Sequence, residues 1–120
     1  MKILGIDHVQ LAMPAGGENE ARAFYGHLLD LTEKPKPPDL AKRGGVWFEN
    51  DLVKIHLGLD PEFRKAIKAH PALLVSDLGA LIERLNAAGF NVNDGERAIY
   101  HRVYVADPFR NRIELIDGDL

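Results

Sequence analysis

Four side chains of this 120-residue sequence could together bind a metal ion. His8 and His70 precede the apolar runs VQLAM and PALLV, whereas His56 and Glu114 lie inside the runs LVKIHLGL and RIELID. Three imidazoles and one carboxylate suit a borderline divalent cation such as Zn, Ni, Co, Mn or Fe. On an octahedral ion these ligands would leave positions for water or substrate, which is the open type of site that catalysis requires.

The alternation of side chains along a strand predicts where these groups point. In LVKIHLGL, Ile55 and Leu57 are expected to pack under a helix, so that His56 projects from the opposite face. The same alternation separates Glu114 from its apolar neighbours in RIELID and sets His8 opposite Val9. These groups are therefore predicted to leave the face of the sheet that the helices cover.

The elements that must position the four groups occur in the same order in each half of the sequence. The order is a strand, a helix and then three strands, and each element is recognised by its periodicity and by flanking turn residues. In the first half, residues 6–13 predict a strand, residues 18–31 an amphipathic helix and residues 33–45 a proline-rich loop, followed by strands VWFE and LVKIHLGL with a turn at Asn50-Asp51. In the second half, strand HPALLVS precedes a helix over LGALIERLNAAG, capped by Ser76 or Asp77 and stopped by Gly89, and the strands FNVND, YHRVYVAD and RIELID follow.

The spacing of the candidate ligands indicates a tandem duplication. His8 and His70 are 62 residues apart, and His56 and Glu114 are 58 residues apart. The assignment of His70 depends on this repeat, because the run that follows it is apolar on both faces. The sequence therefore predicts one domain over residues 1–120, with module one at 1–60 and module two at 66–120.

Composition excludes several other classes of protein. The chain is 46% hydrophobic and 28% charged with a net charge of −3, and it has no cluster of basic residues with which to bind nucleic acid. No apolar run approaches the ~20 residues of a membrane helix, and we expect no signal peptide, because the first residues lack its apolar core. Because there is no cysteine, metal ligands must be histidine or carboxylate. We expect a cytoplasmic protein that binds neither nucleic acid nor membranes.

Four motifs resemble the vicinal oxygen chelate superfamily, which includes glyoxalase I, fosfomycin resistance proteins, extradiol dioxygenases, methylmalonyl-CoA epimerase and bleomycin-binding proteins. They are IDHVQLAMP, ARAFYGHLLDL, HPALLVSDLGALIERLNAAGF and VYVADPFRNRIELI, and the Asp-Pro followed by Asn-Arg-Ile-Glu is the most specific. The resemblance covers the whole chain and implies an α+β fold in which two tandem βαβββ modules form a half-open mixed β-sheet barrel. It also implies a homodimer, since small members commonly dimerise and several build each site from both chains.

Matched position by position, the resemblance places metal ligands at His8, His56, His70 and Glu114. Glyoxalase I usually has a glutamate at the position of His56, and that glutamate takes part in moving the substrate proton. Here His56 or Glu114 would have that role. Fosfomycin resistance proteins use only the equivalents of His8, His70 and Glu114. A further departure is Arg110, because the family normally has glycine in this turn and a left-handed non-glycine residue costs about 1 kcal/mol.

The first functional hypothesis is a metal-dependent glyoxalase-like lyase or isomerase. One divalent ion per site would chelate two vicinal oxygens of a small substrate as a Lewis acid. Lys54, Arg97 and Arg102 are candidates for binding a carboxylate or phosphonate of the substrate, and Trp47 is a further candidate substrate-binding residue.

Two other kinds of function remain open at this stage. One is a different reaction on the same metal, either epoxide opening on a phosphonate antibiotic or Fe(II)-dependent ring cleavage of a catechol. The other is a non-catalytic dimer that binds a planar drug on a surface of Trp47, Phe48, Tyr100 and Tyr104. Metal content separates these classes, since a pure binder need not hold one ion per site.

Overall fold

A computed structural model describes residues 1–93 and 101–119 and divides the chain into two compact units, Met1–Phe63 and Arg64–Leu120, hereafter module one and module two. Module one contains β1 (Val9–Met13), α1 (Glu18–Ala21), a π-helical segment (Arg22–Leu28), β2 (Thr32–Lys34), α2 (Pro38–Ala41), β3 (Val46–Glu49) and β4 (Lys54–Leu59). Module two contains β5 (Ala72–Val75), α3 (Leu78–Ala87), β6 (Val92–Asn93), β7 (Arg102–Ala106) and β8 (Arg112–Asp117).

Each module has a four-stranded mixed sheet of the same topology. The strand orders are β1-β4-β3-β2 and β5-β8-β7-β6, and in both sheets the first strand is parallel to the last while the remaining pairs are antiparallel. The predicted order of a strand, a helix and three strands is thus present in both modules.

The register of the parallel pairs relates the candidate ligands of the two modules. Gln10 on β1 is opposite His56 on β4, and Ala72 on β5 is opposite Glu114 on β8. His8 and His70 each lie two residues before the paired residue, a separation that keeps side chains on one side of an extended chain. Each module therefore directs its first histidine toward the site residue of its last strand.

The core of module one confirms the predicted alternation along β4. Ile55 and Leu57 are fully buried, as are Phe24 and Tyr25 of the π-helical segment and Phe48 of β3, on whose ring Tyr25 is stacked. The sequence predicts an α-helix here, but from Arg22 the turns widen and the Leu29 N–H bonds to the Phe24 carbonyl five residues back. The consecutive residues Phe24 and Tyr25 are both fully buried within this segment.

Two boundaries in module one differ from the sequence prediction. The predicted loop at residues 33–45 contains α2 and most of β2. Because β2 pairs with β3, its extended conformation depends on this partner strand, which local composition does not reveal. The predicted first strand is also too long, since residues 6–8 are not in a strand and β1 begins at Val9. His8 therefore lies at the entrance to β1 rather than inside it.

Helix α3 of module two agrees with its predicted limits. The Asp77 side chain caps the helix by accepting a backbone N–H of the first turn, and Leu78, Ile82 and Leu85 form its buried stripe. Gly89, with a φ of 90°, follows its end. No helix among the described residues is long and apolar enough to cross a membrane.

The turn between β7 and β8 is held by Asp107. One carboxylate oxygen accepts the backbone N–H groups of Phe109 and Asn111, both at 2.8 Å, and the other accepts the Asn111 side-chain amide at 2.9 Å. Within this turn Arg110 has a φ of 71°, so the left-handed conformation is kept although glycine is absent. Side-chain hydrogen bonds on either side of Arg110 thus hold a residue that would otherwise avoid this conformation.

Replacing Arg110 by glycine should stabilise the protein. Glycine removes the strain energy of the left-handed conformation, and this gain is larger than the free-energy cost of the more flexible unfolded chain. We therefore expect a rise of about 0.5–1 kcal/mol in the free energy of unfolding. Urea denaturation measures it. Arg43→Gly is the matched control, because Arg43 is also in an exposed turn but its φ is not positive, and it should give no gain. A destabilised R110G variant would contradict the prediction.

Candidate functional site

Three parallel rings form the candidate site of module one. His56 on β4 lies between Trp47, its cross-strand neighbour on β3, and His8. The ring centroids are 4.2 Å apart in both pairs, with interplanar angles of 9° to Trp47 and 18° to His8. The sheet register therefore brings together two of the predicted ligands and one predicted substrate-binding residue.

His56 is a buried histidine with an unused nitrogen. Its exposure is 7%, and its buried Nε2 has no hydrogen-bond partner among the described residues. Burial lowers the pKa of His56, and repulsion from a positive charge on the neighbouring His8 ring lowers this pKa further. The neutral imidazole is thus the favoured form of His56, and its buried Nε2 makes no hydrogen bond to the described residues.

Asp7 determines the environment of the other imidazole. Its Oδ2 lies 2.9 Å from His8 Nδ1, and its Oδ1 lies 3.6 Å from Lys54 Nζ. The hydrogen bond from His8 lowers the pKa of Asp7, and the Lys54 charge adds to this effect. A carboxylate can only accept, so Nδ1 is the donor and Nε2 of His8 is left for another contact.

In module two, His70 contacts an oxygen acceptor at each ring nitrogen. Nδ1 lies 2.6 Å from the Lys68 carbonyl oxygen, and Nε2 lies 3.0 Å from Glu114 Oε1. A carbonyl oxygen cannot donate, so Nδ1 carries the hydrogen. The contact between Nε2 and a carboxylate then requires a positive charge, either a second proton on the ring or a cation between the two groups.

Glu114 is a buried carboxylate that is kept ionised by its neighbours. Burial acts to raise the pKa of Glu114, but hydrogen bonds from His70 and Tyr104 and the charge of Arg102 outweigh it, and the pKa is lowered. Arg102 Nη1 lies 3.5 Å from Glu114 Oε2. The result is a negative charge at the centre of β8 with one oxygen directed at an imidazole.

Two arginines share the ring of Tyr104, which is opposite Glu114 in the sheet. The guanidinium carbon of Arg102 is 5.9 Å from the ring centroid, and that of Arg112 is 5.1 Å away. Arg102 also reaches Glu114, whereas Arg112 forms no salt bridge with any described carboxylate. The surface beside Glu114 therefore carries a guanidinium that can meet an anion.

The structure brings the four predicted ligands together as two pairs, one in each module. Within either module, the described residues form no cluster of three or more His, Asp and Glu side chains that could hold an ion. The predicted aromatic binding surface is wrong at Phe48, because this side chain is fully buried in the core. Arg97 and Tyr100 lie outside the described residues.

Sequence reasoning missed Asp7 and Arg112 as members of the site. Asp7 immediately precedes His8, and a carboxylate beside a candidate ligand is a signal that could have been used. Arg112 is two residues before Glu114 on the same strand, so alternation alone places it on the site face.

Comparisons with known proteins agree with this architecture. The model of the Glyoxalase/Bleomycin resistance protein/Dioxygenase superfamily matches residues 5–115. The crystal structure of a glyoxalase family protein from Bacillus anthracis has a TM-score of 0.87 and 45% sequence identity, covering 96% of this chain and 95% of that chain. The search of curated proteins gives no match.

Two more distant structures show similarity of fold alone. A mutant of the fosfomycin resistance protein FosX from Listeria monocytogenes, complexed with Mn(II) and 1S,2S-dihydroxypropylphosphonic acid, has a TM-score of 0.78 and 18% identity, covering 98% of this chain and 94% of that chain. Lactoylglutathione lyase from Agrobacterium tumefaciens has a TM-score of 0.64 and 21% identity, covering 92% of each chain. The predicted fold class, α+β with two tandem βαβββ modules, is thereby confirmed, and the chain belongs to the glyoxalase/bleomycin resistance protein/dioxygenase superfamily.

Proposed function

We propose that the protein is a metal-dependent enzyme of the glyoxalase type, a lyase or isomerase whose small substrate presents two vicinal oxygens to the ion. The observation that carries this proposal is the contact between His70 Nε2 and Glu114 Oε1 at 3.0 Å, with Nδ1 already occupied by the Lys68 carbonyl. This pair needs a positive charge, and a divalent cation supplies it while using both groups as ligands.

The proposed ligands are Nε2 of His8, Nε2 of His70 and the carboxylate of Glu114. Imidazole and carboxylate ligands fit Zn, Ni, Co, Mn or Fe, and the FosX complex contains Mn(II). His8 and His56 are stacked, so their lone pairs run in nearly parallel planes and do not converge on one ion. The four-ligand site predicted from the sequence would need the His56 ring to rotate, and we favour His56 beside the ion rather than on it.

His56 is the group we propose to move the proton. A bound cation would supply Lewis acidity toward two neighbouring oxygens of the substrate. A neutral imidazole can take a proton at its Nε2 from the adjacent carbon and return it to the neighbouring one, and burial keeps His56 neutral. Trp47 holds the ring plane, and Arg102 and Lys54 would meet an anionic group of the substrate. The same role for Arg97 stays a prediction.

A second candidate reaction is the opening of a small phosphonate epoxide by water. Arg112 favours it, because this guanidinium lies beside Glu114 with no carboxylate partner among the described residues. The FosX complex contains the corresponding kind of diol, a dihydroxypropylphosphonic acid. Assays with a hemithioacetal and with fosfomycin, run on the same metal-loaded sample, decide between the two reactions.

We also propose that the protein is a homodimer. Ile3, Leu4 and Ile6 are 84–93% exposed in the segment before β1, and Leu74 on β5 is 76% exposed. Covering each such side chain yields about 1.5–3 kcal/mol, which a second copy of the chain can supply. His8 stands at the end of this N-terminal segment, so we propose that each metal site combines module one of one copy with module two of the other. The cytoplasmic location stays a prediction.

The metal proposal predicts about one divalent ion per chain in protein purified without a tag. His8→Ala, His70→Ala and Glu114→Gln should each lower the bound metal by at least about tenfold at equal free metal, since each removes a ligand. His56→Phe should retain the ion, because we place only three protein groups on it. Elemental analysis after equilibrium dialysis measures this.

His27→Ala is the matched control for these variants, because His27 is an exposed histidine outside the site, and it should bind metal as the wild type does. Wild-type protein without a stoichiometric ion would contradict the proposal and favour a non-catalytic binder. Loss of the ion in H56F would instead support the predicted four-ligand site, in which His56 binds the metal.

Mixing two defective variants tests the shared site. When His8→Ala and Glu114→Gln chains are unfolded together and refolded, half of the dimers contain one of each. Each mixed dimer then has one site with both substitutions and one intact site, so bound metal should recover to about a quarter of the wild-type value. No recovery, with dimers present in sedimentation, would show that each site is built within one chain.

The burial of His56 predicts a loss of stability in mild acid. Its folded-state pKa is lowered, so below about pH 6.5 the unfolded chain binds more protons at this position and stability falls as the pH falls. One proton contributes at most about 1.4 kcal/mol per pH unit. Urea denaturation of metal-free protein at pH 7.5 and 5.5 should show a smaller decrease for His56→Phe, which keeps a stacked ring but cannot titrate. An equal decrease in both proteins would contradict this account.

A further inference from the structure

We infer that Asp7 is a positioning residue, which fixes the tautomer of His8 so that Nε2 carries the lone pair. This inference rests on the proposed function, in which His8 Nε2 is a metal ligand. Asp7 itself touches neither the ion nor the substrate. Its action is to determine which nitrogen of the neighbouring imidazole can bind.

Two contacts fix the His8 ring in complementary ways. Stacking on His56, at 4.2 Å and 18°, fixes the plane of the ring, because His56 is itself stacked on Trp47 within the sheet. Stacking cannot select between the two edges of the ring. The Asp7 Oδ2 contact, at 2.9 Å from Nδ1, makes that selection and leaves the Nε2 edge for a ligand.

The carboxylate of Asp7 favours only one tautomer of His8, the one with the hydrogen on Nδ1. An exposed aspartate is ionised at neutral pH and can only accept a hydrogen bond, so it holds the proton on Nδ1. With that proton on Nδ1, Nε2 is unprotonated and can bind a cation. In the opposite tautomer Nε2, the nitrogen that must face the ion, carries a hydrogen. That hydrogen would have to leave Nε2 before a cation could bind there.

Module two provides an independent instance of the same arrangement. Nδ1 of His70 lies 2.6 Å from the Lys68 carbonyl oxygen, another group that only accepts, and Nε2 faces Glu114. In both histidines Nδ1 therefore carries a hydrogen, although different chemical groups accept it. In module two the acceptor is main chain, whereas in module one it is a side chain that can be replaced.

Asp7→Asn is the sharpest substitution, because an amide has almost the same shape but can also donate. Replacing the acidic partner of a catalytic histidine by its amide is known to leave geometry intact and to allow the wrong tautomer. Asp7→Glu restores a carboxylate on an exposed residue and should rescue the tautomer. Asp51→Asn is the matched control, since Asp51 is an exposed aspartate of module one with no histidine contact.

The first measurement is long-range ¹H–¹⁵N correlation NMR on the metal-free protein, with the His8 signals assigned by their absence in His8→Ala. We expect the wild type, D7E and D51N to have His8 protonated at Nδ1, and D7N to show a substantial Nε2–H population. An Nε2–H majority in the wild type, or an unchanged tautomer in D7N, would overturn the inference.

The second measurement is the affinity for Mn(II) or Zn(II), obtained by competition with a chelator. Loss of an outer partner of a ligating histidine typically costs 10–100-fold, so D7N should bind at least about tenfold more weakly while D7E and D51N stay near the wild type. A wild type that binds no metal, with the tautomer shift present, would sink the proposed function and leave the positioning role intact. Equal affinities of the wild type and D7N would sink the positioning role alone.

Discussion

The parallel pairing of the first and last strands within each module is the constraint on which the site depends. A parallel pair needs a crossover, so the first strand must be followed by a helix and further strands before the last strand can lie beside it. Once Gln10 is opposite His56 and Ala72 is opposite Glu114, the histidine two residues earlier is directed toward the same surface. The two pairs of candidate ligands are thus a consequence of strand register, which a slip of one residue would destroy.

The two modules share this geometry, but the electrostatics of the two pairs differ. His56 and Glu114 are each the third residue of their strand, and the two strands share one burial pattern. Yet burial keeps His56 neutral, whereas Glu114 is ionised under the influence of His70, Tyr104 and Arg102. At this strand position module one therefore has a neutral imidazole, whereas module two has a carboxylate hydrogen-bonded to an imidazole.

Sequence reasoning succeeded where local periodicity carries the information. The alternation along LVKIHLGL and RIELID separates His56 and Glu114 from the buried apolar positions, and of the two predicted cap residues, Ser76 and Asp77, Asp77 caps α3. It failed where tertiary contacts decide. The short strand β2 pairs with β3, and the helix after Ala21 widens to π-helical turns, and neither feature is encoded in the local periodicity. The orientation of individual rings, including the stack of His8, His56 and Trp47, also lies beyond any periodicity, because it depends on side-chain packing across strands.

The stack also explains why a histidine can serve at the position where a glutamate is usual. A carboxylate at His56 would be buried against Trp47 and would need a partner to offset its desolvation. An imidazole there stays neutral at little cost, since Trp47 and His8 cover its two faces and the positive charge available to His8 opposes its protonation. A cation bound at Nε2 of His8 would act in the same direction, so metal binding and the neutrality of His56 would support each other. The departure at this position is therefore consistent with a working base, provided that the substrate proton is delivered to the buried Nε2 rather than to an exposed edge.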